Sequence, residues 1–262
     1  MNSEKKIVNF IKEINNKGYS TALKQFLQNN LDFENEFKKM EGSIAFRVSN
    51  STNSKCLVIN SDFGNITENL SHTFQEVWSF EKNLDKAIIQ KHRFENENIQ
   101  NITIINTKKE LLSLPNEYFE LVVLNGIKQE DFLELGIKNY INQIKKILTK
   151  NGCMCVGVYN KYRMNLFGKE NKSTSNEITE SFNGYKKIFN ASGFTVKPYW
   201  VFPSHTRPHY SADIENSISL KWFFHNFDKT FSVDRKFSII GNSLKILNST
   251  LRKKLVEKFS PS

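Results

Sequence analysis

An unbroken apolar run leads into a polar turn at residues 56–64, which read Cys56-Leu57-Val58-Ile59-Asn60-Ser61-Asp62-Phe63-Gly64. Four consecutive apolar residues are typical of a strand that is buried on both faces of a parallel sheet. The turn ends in a glycine, and residues 67–74 after it favour a helix. A strand, a tight turn and a helix in this order are the opening unit of an α/β fold.

The same alternation continues toward residue 202. The sequence predicts further strands at 76–80, 102–105, 119–124, 153–158 and 194–201, with helices at 84–97, 137–149 and 184–191. Repeated β-α-β units predict an α/β fold with a doubly wound, mostly parallel sheet. In such a sheet the carboxyl ends of the strands meet at one edge, and a ligand crevice is expected there.

Helical segments flank this domain on both sides. Apolar residues at positions 7, 10, 11 and 14 share one helical face, and a second helix is predicted at 21–39. A polar stretch at 49–54 separates these helices from the first strand. We therefore expect an N-terminal helical region at 1–48, an α/β domain at 55–202, and a C-terminal loop and helices at 203–262 that pack on the domain.

The composition limits which binding partners and which cell compartment can be expected. The net charge is +10, but the lysines are scattered among glutamates and asparagines, which favours a solvated surface over a nucleic-acid groove. A third hypothesis, methylation of nucleic acid, is supported only by the net charge, and it predicts salt-sensitive binding of the protein to RNA or DNA. The three cysteines are too few and odd in number for a disulfide framework. No apolar run is long enough to span a bilayer. The first residues are charged and contain no hydrophobic region typical of a signal peptide. A cytoplasmic protein without a membrane span is expected.

Three later segments carry a family resemblance: LPNEYFELVVLN at 114–125, QIKKILTKNG at 143–152 and NGYKKIFNASGF at 183–194. Together with the strand order, they resemble class I S-adenosylmethionine-dependent methyltransferases over about residues 55–202. Shorter stretches around residues 157–162 and 219–224 are similar to a bacterial subgroup found beside polysaccharide or secondary-metabolite enzymes. The resemblance implies S-adenosylmethionine as the cofactor and a small molecule or carbohydrate-type biosynthetic intermediate as the substrate.

The resemblance also places a cofactor site at the strand ends. Backbone N–H groups of a tight turn between a strand and a helix can approach a ligand closely. An acid at the end of the second strand can accept hydrogen bonds from both ribose hydroxyls, although the alternative for that residue is an ordinary solvated carboxylate. The cofactor-binding residues that the resemblance implies are Asn60, Asp62, Gly64, Glu81, Thr107 and Asn125.

The turn departs from the family pattern. Asn60 and Asp62 stand where the family mostly has glycine, and Asn106 and Thr107 stand where an acid usually contacts adenine. Asn and Asp tolerate left-handed backbone angles, so the turn can survive, but their side chains would crowd the methionine end of the cofactor. The Asp62 carboxylate could instead pair with the ammonium group of the ligand. These departures keep a second hypothesis open, a catalytically inactive methyltransferase-like binding or scaffold subunit of a biosynthetic complex.

Candidate residues for chemistry follow the fifth and sixth predicted strands. Methyl transfer needs in-line positioning above all and sometimes one base. The predicted catalytic residues are His205 and Asn160, and the predicted substrate contacts are Tyr159, Tyr162, Arg207 and His209. For the histidines, a loop with exposed side chains is the alternative. No metal site is predicted, because the prolines at 203 and 208 argue against a helix that would pair the two histidines.

The far edge of the sheet is the last open question. The methyltransferase fold normally ends with an antiparallel strand that pairs with the sixth strand. Residues 235–240 could supply it, the sequence could be a piece of a longer protein, or the sheet could expose an edge. An exposed edge offers unpaired backbone groups, which would favour a homo-oligomer or a partner protein that completes the sheet.

Overall fold

The computed structural model describes residues 3–37, 54–133, 135–159, 178–204, 207–219 and 222. The chain divides into two compact units, one formed by residues 1–195 with 204–208 and the other by 196–203 with 209–262. The domain boundaries expected from the sequence stay a prediction, since compactness does not test which segments fold alone. Within the described ranges, no helix is long and apolar enough to cross a membrane.

Five parallel strands form the main sheet of the first unit, in the order β3-β2-β1-β4-β5. Their bounds are β1 Lys55–Ile59, β2 Glu76–Phe80, β3 Ile102–Ile105, β4 Phe119–Asn125 and β5 Leu148–Gly157. The prediction of a doubly wound, mostly parallel α/β sheet is confirmed. The strand order reverses between β1 and β4, and in open α/β sheets the ligand crevice lies at the carboxyl ends of the strands at this point.

Helices alternate with these strands. They are α4 Asn65–Ser71, α5 Leu84–Asn96, α6 Lys108–Leu112, α7 Gln129–Phe132, α8 Ile137–Ile147 and α9 Phe182–Ala191. The sequence did not predict α6 and α7, which have five and four residues and are too short for a helical repeat of apolar residues. The predicted helix at 137–149 ends at Ile147, because β5 already begins at Leu148. The pairing of β5 with β4 is irregular here, since Phe119 pairs with Leu148 and Leu121 pairs with Cys153.

The N-terminal segment folds as α1 Ser3–Lys17, α2 Tyr19–Asn29, a 3₁₀ turn Leu31–Phe33 and α3 Glu34–Phe37. The prediction of one helix over 21–39 was wrong. The Asn30 side chain donates a 2.8 Å hydrogen bond to the Phe26 carbonyl, and such local side-chain bonds compete with a continuing helix. Buried phenylalanines of this segment form a common core with Phe63 and Ile89 of the α/β domain.

A two-stranded sheet of β6 Tyr199–Ser204 and β7 Arg207–Asp213 follows α9. Two residues connect these strands, a length that permits only an antiparallel pair. The prediction of a strand at 194–201 within the main sheet was therefore wrong, as was the prediction of a loop over 207–210. In the part of the chain that the structure describes, no strand pairs with the outer edge of β5. Residues 235–240 lie outside the described residues.

Candidate functional site

The turn between β1 and α4 keeps an unusual backbone. Three alternate residues have positive φ angles, 59° at Asn60, 50° at Asp62 and 84° at Gly64. Left-handed angles cost about 1–2 kcal/mol for an ordinary residue and less for Asn, Asp and Gly. The turn therefore holds a strained shape at the two positions where the sequence departs from glycine. Strained backbone of this kind concentrates at functional sites.

Gly64 is the one position of the turn where only glycine fits. A Cβ atom on Gly64 would lie 2.7 Å from Cζ of Phe94 and 3.1 Å from Cγ of Gln90. Both neighbours are buried side chains of α5, so neither can move aside freely. The turn thus packs directly on α5 through its own backbone.

We expect Gly64→Ala to lower the free energy of unfolding by about 2–3 kcal/mol, from left-handed strain and overpacking together. Gly193→Ala is the matched control. Gly193 also has a positive φ, 73°, and its added Cβ would lie 2.6 Å from the flexible end of Lys145. That variant should lose only about 1 kcal/mol. Urea unfolding of both variants measures the difference, and equal losses would contradict the packing argument.

Asp62 is held by four groups of the chain. Its carboxylate accepts a 2.6 Å hydrogen bond from Lys86 Nζ and a 3.0 Å bond from Asn125 Nδ2. Its backbone N–H donates to Glu81 Oε2 at 2.8 Å, and its carbonyl accepts from Gln90 Nε2 at 2.6 Å. Burial alone would lower the pKa of Lys86, but the adjacent Asp62 carboxylate raises it. Lys86 is therefore charged and forms an ion pair with Asp62.

The Asn60 side chain fills the other non-glycine position of the turn. Its Nδ2 group donates to Asp131 Oδ2 at 3.0 Å and contacts the Gly126 carbonyl at 3.4 Å. Asp131 also accepts a 3.1 Å bond from the backbone N–H of Lys128. Burial raises the pKa of the Asp131 carboxyl, although these hydrogen bonds act in the opposite direction. Asp131 is therefore the second carboxylate, after Glu81, that accepts a hydrogen bond from the turn.

Glu81 follows β2 and is buried, with only 3% of its surface exposed. Besides Asp62 N–H, it accepts a 2.9 Å hydrogen bond from Asn83 N–H through Oε1. Burial, and then the Asp62 carboxylate, raise the pKa of Glu81. Folding thus favours the protonated acid, and an ionised Glu81 lowers stability as the pH rises above its ordinary pKa of 4.5. A ligand that donates hydrogen bonds to Glu81 would offset that cost.

Asn125 ends β4 beside the turn and carries an unsatisfied acceptor. Its Nδ2 group donates to the Asn60 carbonyl and to Asp62 Oδ2, both at 3.0 Å. The residue is 7% exposed, and no described group donates to its buried Oδ1 atom. Two acceptors face Nδ2, so the amide cannot be reversed without losing both bonds. Oδ1 is therefore a buried acceptor that lacks a donor among the described groups.

A buried polar network, formed mainly by side chains of α5, holds the turn in place. Gln90 Nε2 donates to Ser61 Oγ at 2.8 Å, and Ser79 Oγ donates to Gln90 Oε1 at 2.7 Å. Arg93 pairs with Glu68 at 2.6 Å and donates from Nη1 to the Phe63 carbonyl at 3.1 Å. Helix α5 therefore holds the turn by direct contacts to both side chains and backbone.

The structure brings five of the predicted site residues together at the ends of β1, β2 and β4. These are Asn60, Asp62, Gly64, Glu81 and Asn125. Thr107 instead caps α6, where its hydroxyl donates to Glu110 Oε2 at 2.7 Å. The Tyr159 carbonyl accepts a 3.3 Å bond from the Tyr185 hydroxyl.

The remaining predicted site residues are Asn160, Tyr162, His205, Arg207 and His209. Asn160, Tyr162 and His205 lie outside the described residues, and Arg207 and His209 belong to β7. Among the described residues, no group of three or more His, Cys, Asp or Glu side chains could hold a metal ion.

Sequence reasoning missed Lys86, Gln90 and Asp131. Lys86 and Gln90 stand four residues apart on α5, so they share one helix face, and this spacing could have indicated that both reach the turn. Asp131 lies three residues after Lys128, at the N3 position that caps α7. No pattern in the sequence indicated that its carboxylate also reaches Asn60.

Comparison with known proteins establishes the fold. A proposed methyltransferase of Bacillus halodurans C-125 matches with a TM-score of 0.50 and 14% identity, over 62% of this chain and 73% of that chain. The chain has the class I methyltransferase fold.

Two further solved structures are similar at lower scores. An S-adenosylmethionine-dependent methyltransferase of Aquifex aeolicus has 11% identity over 59% of this chain and 79% of its own, with a TM-score of 0.48. An S-adenosylmethionine-dependent methyltransferase of Leishmania major has 17% identity, and the match covers 76% of this chain and 79% of that chain with a TM-score of 0.47. No protein-family model and no curated protein matches the sequence.

Proposed function

We propose that this chain is an S-adenosylmethionine-dependent methyltransferase that acts on a small molecule or a carbohydrate-type biosynthetic intermediate. The observation that carries the proposal is the backbone of the turn, which keeps three alternate left-handed residues although two of them are not glycine. Left-handed residues of this kind are found most often at functional sites, where the surrounding contacts hold them in place.

The residues of the site fit the chemical groups of this cofactor. Glu81 uses one hydrogen bond on each carboxylate oxygen, which leaves acceptor capacity for ribose hydroxyls. Asp62 and Asn125 offer a negative charge and an unsatisfied oxygen to an ammonium group. S-adenosylmethionine supplies an activated methyl group when bound. The chain would then have to orient the acceptor, for which Asn160, Tyr159, Tyr162, His205, Arg207 and His209 remain the proposed residues.

A second function is favoured by a different observation. Lys86 and Asp131 already satisfy the side chains of Asp62 and Asn60, so the turn is closed by the chain itself. A methyltransferase-like binding or scaffold subunit would need no more than this. Such a subunit, or a homo-oligomer, would also give the outer edge of β5 a pairing partner.

Calorimetric titration with S-adenosylmethionine and S-adenosylhomocysteine separates the two functions. We expect binding to the full chain, and we expect Glu81→Ala to weaken it about 10- to 100-fold, since a hydrogen bond to a charged group contributes about 1.5–3 kcal/mol. Glu95→Ala removes an exposed carboxylate near the end of α5 and should leave the affinity unchanged. No heat at millimolar ligand, with a folded protein, would favour the scaffold subunit.

A further inference from the structure

Lys86 gives the Asp62 carboxylate an ammonium partner from within the chain. Its Nζ atom lies 2.6 Å from Asp62 Oδ1 and 5.2 Å from the centre of the Phe63 ring. The pair is partly buried, with 24% of the Lys86 side chain and 30% of the Asp62 side chain exposed. An ammonium group thus already stands beside the carboxylate that a ligand ammonium would need.

Lys86 satisfies this site incompletely. An ammonium group has three donors, and only Asp62 Oδ1 accepts a hydrogen bond from Nζ among the described contacts. The amide group of Asn125 donates from Nδ2 to Asp62 Oδ2, and its buried Oδ1 atom lacks a donor among the described groups. Unpartnered polar atoms that are this deeply buried are uncommon in folded proteins.

The Lys86 ammonium group can also leave. It is carried on a flexible four-carbon stem, and about a quarter of the side chain already faces solvent. No described hydrogen bond other than that to Asp62 holds Nζ in place. Displacement into water therefore breaks the ion pair with Asp62 and the contact with the Phe63 ring.

We infer that Lys86 occupies the place beside the Asp62 carboxylate that the primary ammonium group of a ligand would take, and that it stays there until the ligand displaces it. This inference rests on the proposed function, and it adds that the chain weakens its own ligand binding. The ligand class is an adenosine derivative with a free α-amino group. Lys86 is in this view a competitor of the ligand, and its contact with Asp62 is autoinhibitory.

The test compares two ligands that differ at the amino-acid end. S-adenosylhomocysteine carries the ammonium group, whereas methylthioadenosine has the same adenosine and a neutral sulfur but no amino acid. We expect Lys86→Met to bind S-adenosylhomocysteine about tenfold more tightly than the unchanged chain, and methylthioadenosine equally well. Lys86→Arg keeps the charge and should keep the weaker affinity. Asp62→Asn should reduce the preference for S-adenosylhomocysteine, because the carboxylate is lost.

The outcomes are distinguishable. If S-adenosylhomocysteine binds but Lys86→Met binds it no better, or more weakly, Lys86 is no competitor and the inference is overturned while the proposed function stands. If neither ligand binds the unchanged chain or any variant, with folding confirmed by circular dichroism, both fail. Tighter binding of both ligands to Lys86→Met would also overturn the inference, since the effect would not depend on the ammonium group.

Discussion

Replacing Arg93 by alanine is expected to lower the free energy of unfolding by about 3–5 kcal/mol. Arg93 Nε lies 2.6 Å from Glu68 Oε2, and the two side chains are only 4% and 6% exposed. Removing the guanidinium leaves the Glu68 carboxylate buried without the positive charge that neutralises it. The cost of a buried charge is far larger than the net contribution of the intact pair, so a single replacement measures that cost.

The double variant Arg93→Met with Glu68→Leu separates the two quantities. It removes both charges and keeps most of the buried volume, so most of the loss in Arg93→Ala should be recovered. About 1–3 kcal/mol should remain, because the Phe63 carbonyl loses its 3.1 Å bond from Arg93 Nη1. Lys91→Ala is the control, since the Lys91–Glu95 pair on the same helix is exposed and should change stability by less than about 0.5 kcal/mol. A double variant as unstable as the single one would refute this account.

The central strands could be predicted from the sequence because burial alone fixes them. Residues 56–59 and 121–124 are apolar runs, and a strand covered on both faces needs nothing else to be recognised. The hairpin of β6 and β7 could not be predicted, because pairing between two strands is decided by tertiary contacts. The prolines at 203 and 208 argued only against a helix, and proline is compatible with strands that have a free edge.

The candidate site was predictable only in its backbone. The position of Glu81 and the left-handed turn follow from strand order and from the tolerance of Asn and Asp for positive φ. The partners of that turn do not follow from local sequence. Lys86 and Asp131 reach Asp62 and Asn60 from helices 24 and 71 residues away, through long or helix-capping side chains whose direction only the fold determines.

We expect Phe10→Ala to lower the free energy of unfolding by about 3–5 kcal/mol, the range for truncating a buried phenylalanine. Phe10 is 2% exposed and stacks on Phe26 with ring centres 4.4 Å apart. It also meets Phe37 edge to face at 5.7 Å, and Phe37 lies 4.7 Å from Phe63 in the turn. Val8→Ala is the control on the same helix, since Val8 is 40% exposed and its loss should cost less than about 0.5 kcal/mol.

Hydrogen exchange decides what this loss means for the site. If the N-terminal helices and the α/β domain share one cooperative core, Phe10→Ala should reduce the protection of the β1 amides at 56–59 by the same free energy as it reduces global stability. Reduced protection confined to α1 and α2 would show instead that these helices open on their own, as an appendage would. Phe63 belongs both to the common core and to the turn that carries Asp62, so a cooperative result would make the N-terminal helices part of what holds the candidate site in shape.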